Sequence, residues 1–207
     1  MKSAPFAGRC LICGGEGRDG RELCDGCKQD LPRTSRNKIS RKIEGISNTF
    51  AAFEYIYPMT DLIKAAKFQR DLCALAILKA SFAEAVSGLF PGVDIVVPVP
   101  LSFGRFLNRG FNQAAELACA LATANSLRVR GDCLQKVLST SAQTKLTARQ
   151  RQVNLVHAFW SFSRVKNTVV LVVDDVVTTG ATLSAVARAL RDAGAKDVRA
   201  AVLAVTQ

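Results

Sequence analysis

Long apolar runs are missing from this sequence. The most apolar long stretch, Leu72 to Phe90, carries Lys79 and Glu84 inside it, so nothing reads as a membrane span. The opening "MKSAPFAGRC" has no apolar h-region, which argues against a secretory signal and for a cytoplasmic protein. Histidine is nearly absent. Catalysis built on Ser–His–Asp or Cys–His would rest on His157 alone, which has no cysteine or carboxylate cluster near it. The string G-x-x-x-x-G-K-[ST] does not occur, which excludes a P-loop triphosphatase. There is no internal repeat and no low-complexity segment. Acidic residues are scarce: 17 against 28 Lys and Arg, a formal net charge of +11. Residues 33–42 contain no acid, and 126–166 contain only Asp132. Such a balance favours polyanionic partners, namely nucleic acid, phosphorylated metabolites or anionic membrane. The plainer alternative is that these runs are solvated faces.

Cysteine is what the chain has in quantity. Of seven, four form "CLIC" (Cys10, Cys13) and "CDGC" (Cys24, Cys27), separated by ten residues. Two Cys-x-x-Cys pairs in a reducing compartment are better read as metal ligands than as disulfides, with redox-active pairs as the alternative. Each pair offers two thiolates from one tight turn, as a tetrahedral zinc ion requires. A module this small buries too little apolar surface to fold alone, so zinc would supply much of its folding free energy. Cys73, Cys119 and Cys133 have no partner spacing and are expected to be small buried residues.

Strands and helices alternate along the rest. "TFAAFEYIY" (49–57) reads as a strand, and a helix start at Thr60–Asp61 opens a periodic segment to Val86. "VDIVVPVP" (93–100) is a buried parallel strand, and Asn112 caps a helix over "QAAELACALATA". "DCLQKVL" (132–138) and "HAFWSF" (157–162) are short strands, and 144–154 reads as a basic, mobile loop with a helical part. "TVVLVV" (168–173) is the clearest strand, 181–195 the clearest helix, and 197–206 a closing strand. This order implies an α/β protein, a parallel sheet with helices on both faces.

The clearest strand runs straight into Asp174 and Asp175. In a parallel sheet, ligands gather at the carboxyl ends of the strands. Carboxylates there accept hydrogen bonds from vicinal hydroxyls such as those of a ribose. Thr178, Thr179, Gly180 and Thr182 follow at a helix entrance, where unpaired N–H groups and the helix dipole favour a phosphate. Ribose then phosphate is ribose 5-phosphate. The structural alternative is a solvated acidic turn with a capping threonine.

"VVLVVDDVVTTGAT" (169–182) resembles the phosphoribosyl-pyrophosphate (PRPP) signature of type I phosphoribosyltransferases. "VPVPLSFGRFLNRGFNQAAELA" (97–118) and "QTKLTARQRQVNLVHAF" (143–159) are similar to blocks of the ComF family, as are the four-cysteine N-terminus and "LIKAAKF" at 62–68. The resemblance implies a zinc-ribbon module with a basic linker at 1–45 and a phosphoribosyltransferase-like domain at 46–207. It also implies that Asp174 and Asp175 hold the ribose hydroxyls, and that Val177, Thr178, Thr179, Gly180, Ala181 and Thr182 hold the 5-phosphate. Arg105, Arg109 and Gly110 would face the pyrophosphate, and Lys145, Arg149 and Arg151 would lie in a loop that closes over the ligand. Asp174, Asp175, Arg109, Lys145 and Arg151 are then the candidate catalytic residues. Pyrophosphate beside two carboxylates calls for Mg2+ to bridge ribose and pyrophosphate oxygens. Two functions follow. One is a phosphoribosyltransferase acting on an unidentified acceptor, in DNA uptake or nucleotide metabolism. The other is a non-catalytic nucleotide- and DNA-binding accessory protein of natural transformation, meeting single-stranded DNA or the competence machinery.

Overall fold

The computed structural model describes residues 8–16, 23–35, 39, 42–137 and 158–206, apart from the side chains of Arg105 and Ser163. Its elements run α1 (Asp25–Gln29), β1 (Thr49–Glu54), α2 (Met59–Phe68), α3 (Leu72–Ala85), β2 (Ile95–Pro98), α4 (Phe103–Arg109) and α5 (Gln113–Ala124). They continue with β3 (Arg128–Val129), β4 (Leu134–Lys136), β5 (Phe159–Ser161), β6 (Val169–Val177), α6 (Ala181–Asp192) and β7 (Asp197–Val205). Five strands form one sheet in the order β1–β7–β6–β2–β3, and every neighbouring pair is parallel. Among the described residues, no helix is long and apolar enough to cross a membrane.

The strands are apolar on both sides because both sides are covered. Along β6, Leu171 and Val173 enter a core shared with α2, α3 and α5. Val170 and Val172 enter a second core with α6, Ile43, Ile46 and the β4–β5 pair. All four are fully buried, each worth about 1.5–3 kcal/mol relative to exposure. Asn112 caps α5 as its sequence position predicts, its Oδ1 accepting from Ala114 N at 3.1 Å.

Four expectations are corrected by the backbone. The periodic segment from Thr60 to Val86 is two helices. Asp71 accepts from Cys73 N and Ala74 N at 2.9 and 3.0 Å and so starts α3 afresh, after Arg70 turns left-handed at φ 55°. The strands at 134–136 and 159–161 pair antiparallel with each other, outside the main sheet. Strand β6 does not stop at Val173, because β7 supplies pairing partners as far as Val205 opposite Val177. Asp174 and Asp175 therefore lie inside a hydrogen-bonded strand. Of the three isolated cysteines, only Cys133 is buried, and Cys119 is exposed on α5.

Candidate functional site

Alternation along β6 makes the two adjacent aspartates different. Successive side chains of a strand point to opposite faces. Asp174 shares the face of Val170 and Val172, and Asp175 shares that of Leu171 and Val173. Each first turns one oxygen back onto the chain: Asp174 Oδ1 accepts from Asp175 N at 2.8 Å, and Asp175 Oδ1 accepts from Val176 N at 2.6 Å. Asp175 Oδ2 then meets Lys67 Nζ at 2.7 Å, with both side chains less than a fifth exposed. For Asp174, burial and then repulsion from Asp175 push the carboxyl up to about 7, against the pull of Asp175 N–H, Lys67 and Lys136. The pair is thus one carboxylate compensated by a lysine and one whose carboxyl is raised into the neutral range.

The turn after β6 carries Thr178 and Thr179 exposed, then Gly180 at φ 82°. Gly180 occupies the N-cap of α6 and has no side chain with which to cap it. Thr179 Oγ1 accepts from Ala181 N at 3.4 Å, and Thr182 lies in the first turn, half-buried. The amino end of this twelve-residue helix is a place where N–H groups can meet an anion. Gly180 also has a packing reason. A Cβ there would stand 3.1 Å from the Ile43 side chain, so a Gly180 variant would report on packing as well as on any ligand.

The third part of the site is the end of α4. Arg109 is its last residue, and Gly110 closes it in the left-handed conformation at φ 80°. Arg109 Nη1 donates to Gln113 Oε1 at 2.9 Å, and its guanidinium lies 5.6 Å from the centre of the Phe68 ring. Arg105 belongs to the same helix, and its side chain is outside the described residues, as are Lys145, Arg149 and Arg151.

Lys67 and Gln113 were not singled out by sequence reasoning. Both stand in stretches that carry the family resemblance, "LIKAAKF" and "RGFNQ", which was the signal available. Lys67 is well placed to be tested. Removing one partner of a largely buried ion pair leaves the other charge uncompensated. Lys67→Met is expected to destabilise the protein by about 3–5 kcal/mol in urea unfolding, and Asp175→Asn in the same chain should recover most of it. A change below about 1 kcal/mol, as for an exposed pair, would contradict this.

The N-terminal cysteines converge. The sulfurs of Cys10, Cys13, Cys24 and Cys27 all lie within 4.8 Å of one another, and Cys13 Sγ is 3.8 Å from Cys24 Sγ. A tetrahedron of Zn–S bonds of about 2.3 Å has edges of about 3.8 Å, so this donor set fits zinc. The local fold is built around sulfur: Gly14 N donates to Cys10 O at 2.9 Å, and Cys27 N donates to Cys24 Sγ at 3.4 Å as α1 begins. Burial disfavours the Cys10 thiolate, yet backbone N–H groups of Cys13, Cys24 and Ile12 outweigh it and lower the thiol to about 6. Burial, then the neighbouring sulfurs, push Cys27 up. Mg2+ is a weaker fit. Asp175 is engaged at both oxygens, which leaves Asp174 as the protein carboxylate for a hard cation, with ligand oxygens supplying the rest.

Two further surfaces lie away from the aspartates. A cleft of about 390 Å3 opens between Leu11 and Ile12 of the cysteine loop and α2, lined by Tyr57, Asp61 and Gln69. It uses Leu62 and Ala65, whereas Ile63, Ala66 and Lys67 face Asp175, so the cleft lies on a different face of α2. Of the basic run at 33–42, Arg33 and Lys42 lie among the described residues. Arg33 reaches Glu84 at 3.4 Å and lies over the Phe53 ring, while Arg36, Lys38 and Arg41 are outside the described residues.

Comparison with known proteins places the chain among relatives. Residues 107–206 match the phosphoribosyl transferase domain family. The DNA utilization protein YhgH of Escherichia coli is 31% identical over 203 residues, covering 93% of this chain and 88% of that protein. Competence protein F of Haemophilus influenzae is 31% identical over 210 residues, covering 96% of this chain and 84% of that protein. Among solved structures, adenine phosphoribosyltransferase from Leishmania tarentolae matches with a TM-score of 0.44 at 13% identity, over 77% of this chain and 91% of that one.

Proposed function

This chain belongs to the ComF family of competence and DNA-utilisation proteins, which carry a phosphoribosyl transferase domain, and we propose on that footing that residues 174–182 bind the ribose 5-phosphate of PRPP or of a nucleotide. One observation supports this most. A half-buried carboxylate, Asp174, stands near the carboxyl end of β6, and the amino end of α6, whose N-cap Gly180 has no side chain, follows within one turn. Asp174 accepts from the ribose hydroxyls, while the N–H groups and hydroxyls of Thr178 to Thr182 hold the phosphate. Asp175, fixed by Lys67, completes the acidic pair from the other face of the strand. Arg109 and Arg105 serve the pyrophosphate, and Lys145 and Arg151 close over it. Mg2+, if bound with PRPP, would be held on the protein side by Asp174 and would neutralise ligand charge. Zinc at Cys10, Cys13, Cys24 and Cys27 organises residues 1–45, ahead of the phosphoribosyltransferase-like domain at 46–207.

If the protein turns over, an acceptor nitrogen's lone pair forms the new bond to ribose C1 as pyrophosphate leaves with the C1–O electron pair and the nitrogen's proton passes to solvent. The leaving group's charge is met by Arg109 and the basic loop. Pyrophosphate release from PRPP, assayed with bases and with DNA as acceptors, tests this step. Release above the no-protein rate supports an enzyme, and binding without release supports a nucleotide-binding accessory protein.

A second reading concerns DNA. Phe68, Phe103 and Phe106 are exposed on α2 and α4, the Arg109 guanidinium lies over the Phe68 ring, and Arg70 Nη2 donates to Asn108 O at 2.8 Å, tying α4 to the α2–α3 junction. Aromatic faces among arginines suit single-stranded nucleic acid, with bases stacking and phosphates paired. Affinity for an oligonucleotide should fall steeply with salt and show little sequence preference. An anisotropy series across salt concentrations checks this. No binding at low salt would leave the surface as a solvated face.

A further inference from the structure

Glycine adopts left- and right-handed backbone with equal ease, so nothing in Gly180 itself fixes the φ of 82° at which α6 begins. Gly180 has no side chain with which to cap the helix, and the Thr179 Oγ1 contact to Ala181 N is long at 3.4 Å. What meets the turn is Ile43. A Cβ on Gly180 would stand 3.1 Å from both Cδ1 and Cγ1 of Ile43, so that side chain fills the space beside the glycine. Ile43 is buried in the core that it shares with Leu183 and Ala187 of α6.

Ile43 heads a strap, residues 43–47, laid along α6 from its amino to its carboxyl end. Ser184 Oγ donates to Glu44 O at 3.2 Å, and Arg191 Nε donates to Gly45 O at 3.2 Å. Gly45 passes so close to the helix that a Cβ on it would stand 3.0 Å from Ala187 Cβ. Ser47 then donates from N to Val198 O and from Oγ to Asp197 Oδ2, each at 2.9 Å, at the start of β7. Upstream, Thr34 N donates to Ala52 O and Ile39 N to Thr49 O, each at 3.1 Å, so the chain is pinned to the edge strand β1 before the strap begins. We propose that Ile43 is a positioning residue of the phosphate turn: seated by the strap, it holds Gly180 left-handed and keeps the amino end of α6 in its binding conformation before any ligand arrives. The proposal rests on the ribose 5-phosphate reading above. A turn that holds its binding conformation only part of the time loses affinity in proportion, so loosening it to about one part in ten weakens binding about tenfold.

Ile46 is the control. It lies in the same strap and the same core and is nearly as buried, whereas the three atoms nearest a Gly180 Cβ all belong to Ile43. The first arm needs no ligand. Amide nitrogen order parameters at Thr179 and Gly180, from NMR relaxation, should be about 0.85 in wild type and Ile46→Ala and below about 0.6 in Ile43→Ala. A turn as rigid in Ile43→Ala as in Ile46→Ala would overturn the proposal. The second arm is calorimetric titration with PRPP and Mg2+. Binding should weaken about tenfold in Ile43→Ala and stay unchanged in Ile46→Ala, although both variants lose stability in urea unfolding. Equal losses of affinity in the two would mean general damage to the strap and would also overturn it. Should Ile43→Ala not fold, Ile43→Val against Ile46→Val makes the same comparison, since valine lacks only Cδ1. Should the wild type not bind PRPP, the ribose 5-phosphate reading fails, while the order parameters still decide whether Ile43 holds the turn.

Discussion

If zinc is held by Cys10, Cys13, Cys24 and Cys27 as proposed, removing it is expected to unfold the N-terminal module and leave the five-stranded sheet standing. Helix α1 is five residues long and buries no residue of its own. Its ion pair, Lys28 to Glu84 at 2.7 Å, is more than a third exposed on both sides and contributes little. Leu11, Ile12 and Leu23 touch the core shared with α2 and α3, but only as partly buried partners. Structural zinc contributes about 10–16 kcal/mol of binding free energy in small modules, far more than these contacts can replace. The sheet depends on none of them. Hydrogen exchange with and without chelator is the measurement. Amides of 8–16 and 23–30 should lose protection while those of β2, β6 and β7 keep it. A zinc-free protein with the module still protected, or a disulfide between the two pairs, would contradict the account.

Replacing Asp174 by asparagine should stabilise the ligand-free protein. The folded carboxyl titrates at about 7 and not at its ordinary value of 3.8, chiefly because burial penalises its charge. A raised acid loses stability as pH rises, beginning near the unfolded value and complete above the folded one. Wild type therefore pays nothing at pH 3 and the full penalty at pH 8. The amide of the Asp174→Asn variant keeps the acceptor for Asp175 N–H and carries no charge at any pH. The gap between Asp174→Asn and wild type should open between about pH 4 and 7 and then stay constant. It should reach on the order of 1–2 kcal/mol once solvent screening of a half-buried group is allowed for. Urea unfolding at pH 4 and pH 8 decides. A variant less stable than wild type at pH 8 would show that the charge is satisfied in the folded state. A residue that lowers stability where it stands is what a binding site requires.

The sheet was legible because β6 and β7 are largely continuous apolar runs, as strands buried on both faces are, and α6 keeps one helical period. The aspartates were legible for the opposite reason: charge at the end of an apolar run. What escaped were the tertiary partners. Asp71 looks like any polar residue inside a helical pattern, and only the fold shows it ending one helix and starting another. Lys67 reads as an exposed helix lysine. Its burial against Asp175 depends on how α2 crosses the sheet, which local sequence does not encode. The same holds for the opposed faces of Asp174 and Asp175, since strand length was set by β7 and not by β6 itself. The cysteine spacing, by contrast, carried its geometry within the 18 residues from Cys10 to Cys27 and needed no tertiary context.

The central claim is that the end of β6 and the start of α6 hold a ribose 5-phosphate. Calorimetric titration of PRPP with Mg2+ into wild type and Asp174→Asn tests it most directly, at pH 8 where Asp174 is ionised. Circular dichroism on both proteins shows whether they are equally folded. The account predicts saturable binding to wild type and a loss of roughly 1.5–3 kcal/mol, tenfold or more, in the variant, as a charged acceptor is removed from the ribose hydroxyls. Equal affinity in the two proteins, or no binding to wild type, would contradict it.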